Sequence, residues 1–415
     1  MKSRTRTTQK QLAVWPQAVQ RRENQVEISV RLETGGAAAR TLWWRLPAEH
    51  EASLPDSQDA FVLGTIFLAM RHASHLRVHG KVSPSLLRNL EEFQAAWHCW
   101  HPERYHPVEI EADREQESEA AIGDRAALMF SGGLDSCFTA WRHTQKLCRR
   151  RLQNLSAAVM VHGFDIPLAE PEGFRRAAEN SRNLVGSVGL ELIPVATNFR
   201  EFDDDWEQTH GAALACCLHL VSKRFSTGLI AGSHVYPGLR FPWGSNPLTD
   251  GLLSSRSLRV VYDGGEYTRR EKARAVASWS EAMSCLRVCW EGPHKERNCG
   301  RCLRCVGTAI CFAVEGKPIP TSLPIPSLVT AIRGLATVRI NPVSVTRLEE
   351  LLAAARQAHL NAPWVDELES CIHIQRGVSP GAPRGLGGRL KRAFHRLLPT
   401  AANLPQTTSH QSQPS

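Results

Sequence analysis

A chain of 415 residues, 42% hydrophobic and 22% charged, can bury a sizeable core and divide into two or three units, which excludes a small scaffold stapled by disulfides. Its formal charge of +9 sits at the ends: residues 1–24 carry six cations against Glu23, and residues 376–415 carry six cations and no acid. The middle is therefore near −2, and a globally basic groove for nucleic acid is not implied.

Residues 1–24 read as a disordered basic lead. Val26, Ile28, Val30 and Leu32 alternate with polar residues, the period-two pattern of a half-buried strand. Thr34-Gly35-Gly36 turns the chain, and Thr41 to Leu46 can return as partner. A helix through Phe61 to Met70 and a short strand around Leu76 to Val78 follow. Ser83-Pro84, a cap and a first-turn proline, then opens a helix that places Leu86, Leu87, Leu90, Phe93 and Trp97 on one side. Together these predict a small α+β domain over 25–112, with the acidic stretch 113–124 as linker.

Ala126 to Phe130 is too short for a helix and reads as a buried strand, whereas Cys137 to Arg149 has helix-compatible spacing. The turn between them, Ser131-Gly132-Gly133-Leu134-Asp135-Ser136, is a strand-to-helix junction. Two glycines admit close approach of a ligand, and unpaired amides of the new helix face it, so the turn is a candidate anion cradle. It has neither the spacing nor the lysine of a Walker loop, which disfavours transfer of a terminal phosphate.

Strand and helix patterns then alternate: Ala157 to Val161 and Phe174 to Val185, Leu190 to Val195 and Gly211 to Phe225, Gly228 to Ala231, and Leu258 to Val261 before a helix from Thr268. Such alternation predicts an α/β fold with a doubly wound, mostly parallel sheet, whose ligands lie beyond the carboxyl ends of the strands. His162-Gly163-Phe164-Asp165, Ala196-Thr197-Asn198 and Gly232-Ser233-His234 fall there. Of these, Gly232 and Ser233 are the strongest candidates for ligand contact. The Pro/Trp-rich stretch from Phe241 to Asp250 is expected to wall a substrate pocket. Arg269 and Lys272 place cations at the start of a helix, where the dipole disfavours them, which suggests an anion nearby.

Cys289, Cys299, Cys302 and Cys305, two of them flanking the turn at Gly300, have the number and spacing of a closed tetrahedral metal site, expected to be structural zinc. Cys285 and His294 are substitutes should one be misassigned. Beyond Lys317-Pro318, segments from Ser327 and from Ser344 predict a helical appendage over 317–375, before a disordered basic tail over 376–415. No apolar leader opens the chain and its longest greasy run, Phe61 to Met70, is half a bilayer span, so a cytoplasmic protein without a membrane partner is expected. The twelve cysteines are then thiols or metal ligands.

The turn resembles the S-G-G-x-D-S signature of the PP-loop ATP pyrophosphatases, and its combination with C-x9-C-G-x-C-x2-C resembles the 7-cyano-7-deazaguanine synthase family of queuosine biosynthesis, over about Arg125 to Phe312. The resemblance implies an adenine nucleotide alpha hydrolase-like domain over 125–316 that binds ATP and Mg2+. Ser131, Gly132, Gly133, Leu134, Asp135 and Ser136 would hold the pyrophosphate, with Ser131 and Asp135 catalytic and Asp135 supporting the loop or the magnesium. It implies an ATP-dependent C–N ligase: a carboxylate or amide is adenylated, pyrophosphate leaves, and ammonia or an amine displaces AMP. The N-terminal unit, the insert and the residues after 317 are foreign to the short synthase, so the substrate is not carried over. Lys2 stands where an N-terminal glutaminase would have its cysteine, so ammonia must be free or delivered. PP-loop RNA thiolases, a non-catalytic nucleotide-binding subunit and a homodimer remain open alternatives.

Overall fold

The computed structural model describes residues 11–35 and 38–377. In chain order the elements are β1 (Gln11–Pro16), β2 (Gln20–Arg22), β3 (Gln25–Thr34), β4 (Arg40–Pro47), α1 (Asp59–His72), β5 (His75–Val82), α2 (Pro84–Trp100) and β6 (Glu109–Glu115). There follow β7 (Arg125–Met129), α3 (Leu134–Thr144), β8 (Asn154–His162), α4 (Pro171–Gly186), β9 (Glu191–Thr197), α5 (Trp206–His219), β10 (Thr227–Ala231), β11 (Arg259–Asp263) and α6 (Arg269–Val276). The chain ends in helices α7 (Ser280–Cys285), α8 (Leu303–Val314), α9 (Leu328–Ala336), α10 (Pro342–Gln357) and α11 (Pro363–Gln375). Among the described residues no helix is long and apolar enough to cross a membrane.

The strands join one α/β sheet of eleven strands, mostly parallel, in the order β11-β10-β7-β8-β9-β4-β3-β1-β5-β6, with β2 beside β3. After β7 the chain adds β8 and β9 on one side and then β10 and β11 on the other, all parallel. The winding therefore reverses at β7, and the crevice beyond its carboxyl end is where such sheets take ligands. Both faces are covered, as successive side chains of β7 show: Ala127 and Met129 enter one apolar core, Leu128 and then Phe130 the other.

The lead expected to be disordered over 1–24 instead supplies β1 and β2; residues 1–10 lie outside the described region. Leu12 and Val14 are buried, and β1 runs between β3 and β5. The alternation of Gln11 to Trp15 outweighs the basic composition around it, because burying two aliphatic side chains while pairing both backbone edges favours a strand. At the other boundary β6 runs to Glu115, into the stretch read as linker, and Arg77 on β5 donates to Asp113 at 2.7 Å.

The α+β unit shares its sheet with the α/β half. β4 pairs antiparallel with β9 through Trp44 opposite Thr197 and Arg45 opposite Ala196. One core runs beneath the junction, including Trp44, Phe61 and Ile66 from the first half with Val195, Ala212 and Cys216 from the second. Gly64 permits α1 to lie this close, since a Cβ there would sit 3.1 Å from the Trp44 ring. Ser83 precedes α2 but does not cap it with its side chain; its amide and hydroxyl instead donate to buried Asp59 at 2.8 and 2.7 Å.

The Pro/Trp-rich insert packs on α5. The amide of Gly244 donates to the carbonyl of Glu207 at 2.8 Å, and a Cβ on Gly211 would come within 1.9 Å of the Gly244 carbonyl oxygen. Asp250, fully buried, accepts from the Ser245 hydroxyl and the Asn246 amide at 2.7 and 2.9 Å; burial raises its carboxyl to about 7. The contact with Gly211 is backbone to backbone and cannot yield by a rotamer change. Gly211→Ala should therefore cost about 1–3 kcal/mol, more than the helix propensity it gains, and lower the melting temperature. An unchanged thermal transition would show that the insert does not hold this position.

The C-terminal helices share a third core with α8, in which Val306, Ile310 and Val314 meet Ile332, Leu335, Val345, Leu348 and Leu368. α10 begins earlier than Ser344: Asn341 is its cap, accepting from the Ser344 amide at 2.8 Å, and Pro342 takes the first turn. Arg376 closes α11 as its cap residue, and the rest of the basic tail from 378 lies outside the described residues.

Candidate nucleotide loop and cysteine cluster

The Ser131 to Ser136 turn joins β7 to α3. Gly132 has φ +75°, a left-handed conformation that glycine adopts without strain. Gly133 is the N-cap of α3 and brings no side chain to it, so the first-turn amides, that of Leu134 included, are left to face the turn. The Leu134 side chain itself is buried in the core. Ser131 Oγ lies 3.4 Å from Ser136 Oγ and accepts from the Gly133 amide at 3.2 Å, while Ser136 Oγ donates to the Gly133 carbonyl at 3.1 Å. Both hydroxyls thus point into the loop's own concavity.

Asp135 holds two of the other predicted residues and reaches a third through Lys272. Lys272 Nζ donates to its Oδ1 at 2.9 Å and Arg269 Nη1 to its Oδ2 at 2.7 Å; Lys272 Nζ also reaches the Gly232 carbonyl. Burial pushes the Asp135 carboxyl up, but Lys272 and then Arg269 outweigh it and hold its pKa below the ordinary value. The cations at the start of α6 find in this carboxylate the counter-charge the dipole denies them, and Thr268 caps that helix in a box with Glu271. Both Asp135 oxygens are engaged, and among the described residues the only grouping of three or more candidate metal ligands is made of cysteines. The loop therefore offers no ready donor set for a magnesium ion held by protein alone.

The other strand-end candidates divide. Gly232 is required by packing, since a Cβ there would lie 2.5 Å from the Tyr262 ring. The Ser233 hydroxyl turns to His234 Nδ1 at 3.2 Å and does not join the loop. Asn198 is structural: it accepts from the Trp43 amide and donates to the Thr41 carbonyl, both at 3.0 Å, and so pins β4 to β9. His162 bonds the Pro167 carbonyl at 2.9 Å. Beyond the ends of β8 and β9 a cavity of about 360 Å³ opens among Gly163, Phe164, Leu168, Thr197 and Arg200. A cavity of about 460 Å³ beside Trp15 and His79 lies in the N-terminal half, away from the loop.

Arg287 is a site residue that the sequence reading missed. Its amide donates to the Gly132 carbonyl at 2.8 Å, its Nη2 to the Ser131 carbonyl at 2.9 Å, and the same nitrogen lies 3.5 Å from Asp165. Buried Nε has no partner. The segment carrying it is clamped by Asn298, which accepts from the Val288 amide at 2.9 Å and donates to the Leu286 carbonyl at 2.7 Å. No local pattern marks an arginine between a short helix and a cysteine as part of a loop more than 150 residues earlier.

Cys289, Cys299, Cys302 and Cys305 converge, their sulfurs all within 4.8 Å of one another. Cys302 to Cys289 is 3.5 Å and Cys299 to Cys305 is 3.9 Å, which brackets the separation of about 3.8 Å expected for two Zn–S bonds at the tetrahedral angle. The cluster can hold a metal ion such as zinc. Gly300 turns with φ +72°, and a Cβ there would strike the Pro324 carbonyl oxygen at 2.3 Å. Hydrogen bonds from Cys305 and the other thiols draw Cys302 toward the thiolate, the ligating form. Cys285 and His294 are not in the group.

His234 links the loop to the C-terminal helices. Arg347 Nη2 lies 2.9 Å from His234 Nε2, and arginine has only donors, so this nitrogen accepts and the proton sits on Nδ1 toward Ser233. Burial, then Arg347 and Arg240, lowers the His234 pKa to about 4. A histidine depressed in the fold contributes stability that is complete above its unfolded pKa and is lost as pH falls from about 6.5 to about 4, roughly 3 kcal/mol in all. Urea unfolding across this window should show the loss, and His234→Gln should flatten that part of the slope. An identical slope in the variant would mean that His234 is not buried as a neutral ring.

Comparison with protein-family models, with curated proteins and with solved structures gives no match.

Proposed function

We propose that the chain is an ATP-dependent adenylating enzyme of the PP-loop class, with structural zinc, acting in the cytoplasm on a small carboxylate or amide. The observation that carries this reading is the placement of a glycine-rich, side-chain-uncapped helix start at the switch point of a parallel sheet, with Lys272 and Arg269 gathered on Asp135. This arrangement suits pyrophosphate. The first-turn amides of α3 and the hydroxyls of Ser131 and Ser136 would hold its oxygens, and Arg287 would keep the loop closed from beneath. Lys272 and Arg269, fixed by Asp135, would stabilise charge gathering on the leaving pyrophosphate as the acceptor oxygen bonds the α-phosphorus. Ammonia or an amine would then attack the activated carbon, forming the C–N bond and releasing AMP. Magnesium would arrive with the nucleotide, supplying charge neutralisation. The test is the identity of the nucleotide products: AMP with pyrophosphate supports the reading, and ADP with orthophosphate overturns it.

A further inference from the structure

Around the loop the cations outnumber the carboxylates that answer them. Asp135 alone serves both Arg269 and Lys272. Arg240, in the segment after β10, and Arg347, on α10, are solvent-accessible and have no carboxylate ion pair among the described residues. Arg347 instead spends a donor on neutral His234, two residues beyond the Gly232 carbonyl that takes Lys272. That contact gives it a hydrogen bond but no counter-charge. Desolvation, then repulsion from Arg269 and Arg240, outweighs Glu350 and Asp135 and holds the Arg347 pKa below its usual value, so Arg347 feels both of the other guanidinium groups. Folding that brings like charges together from α6, α10 and the β10 loop leaves a cost which a bound anion would relieve.

We propose that Arg347, with Arg240 and Arg269, forms an anion subsite for the phosphate tail of the nucleotide, making the C-terminal helices a working part of the loop site. The inference rests on the adenylating reading above and adds to it a contribution from outside the sheet domain. A phosphate tail is favoured over an acceptor carboxylate by charge: Asp135 is already shared by Arg269 and Lys272, Glu350 acts on Arg347 without pairing with it, and a single carboxylate ligand would still leave a cationic excess. Guanidinium groups also present forks of donors that match phosphate oxygens.

The test uses the full chain and calorimetric titration with inorganic pyrophosphate, MgATP and AMP. Arg347→Gln should weaken pyrophosphate and MgATP about tenfold or more, the loss typical of one charge-assisted contact, and leave AMP nearly unchanged. Arg347→Lys should recover part of the loss. Arg356→Gln, on the same helix but paired with Glu369, should bind as wild type. Should Arg347→Gln melt early, Arg240→Gln tests the same subsite from an exposed loop and should weaken pyrophosphate several-fold. Unchanged pyrophosphate affinity in folded variants overturns the subsite, as does an equal loss for AMP, which lacks the tail. If the wild-type chain binds neither pyrophosphate nor MgATP, the nucleotide reading itself fails; if it binds both and the variants match it, only this inference fails.

Discussion

Replacing Cys302 and Cys305 together by serine is expected to release the metal and unfold the segment around residues 286–305, not merely to slow turnover. Metal binding to such a site contributes on the order of 10 kcal/mol or more, and the polypeptide around it has no regular element of its own. Between α7 and α8 lie no helix or strand, a turn forced through Gly300, and a few bonds from Asn298. Loss of the ion would leave Cys289 and Cys299 without the centre that joins them. The loosening should spread to Arg287, two residues before Cys289, and through it to the carbonyls of Ser131 and Gly132. Elemental analysis of wild-type protein should find about one zinc per chain, and hydrogen exchange of the double variant should show lost protection in both the cysteine loop and the Ser131 turn. A well-folded, metal-free double variant, or iron in the wild type, would remove the structural-zinc assignment.

Asp135→Ala should lower turnover by about a hundredfold, the effect of losing one preorganised charge-stabilising contact, and should lower stability as well. Lys272 is only 2% exposed at its side chain, and deleting one partner of a buried ion pair typically costs about 3–5 kcal/mol. The lysine and Arg269 would be released from the positions in which, on the proposed reaction, they would meet the leaving group. Asp135→Asn separates the two effects, because it keeps the shape and one acceptor. It should melt closer to wild type while remaining well below it in rate, with the loss larger in kcat than in ATP affinity. Ser131→Ala should lower the rate with little effect on melting, since Ser131 is exposed. Wild-type turnover in folded Asp135→Asn would show that the carboxylate does not position the catalytic cations.

What could be read from the sequence follows a physical divide between local and distant interactions. The Ser131 turn, the helix start at Thr268 and the four cysteines are written in short windows, where spacing alone decides geometry, and the structure brings each together. Arg269 and Lys272 stand out in the sequence because cations at a helix start are locally unfavourable, and the partner that compensates them is Asp135. Arg287 and Arg347 gave no such signal. Their contacts are made across the fold, and an arginine in a loop or on a helix face looks the same whether it meets water or a carbonyl. Asn198 erred in the opposite direction: a polar residue at the end of a parallel strand suggests a ligand, yet both ends of its amide are consumed by β4. β1 was obscured by composition, because the charges nearby outnumber its two buried aliphatic residues.

The junction of β4 with β9 bears on how the chain reaches this structure. Trp44 waits for Thr197, more than a third of the chain later, before its backbone can pair. Until then β4 is an open edge, and the apolar face that will cover α5 has no cover of its own. Long-range pairing of this kind slows folding, because the entropy of closing the intervening loop is lost before the contact forms. During synthesis the N-terminal half therefore emerges first but cannot close its β4 edge until β9 has been made. The partly made chain offers a sticky strand to its neighbours for as long as β9 is missing, and the interval is set by the translation of β7, β8 and the helices between them.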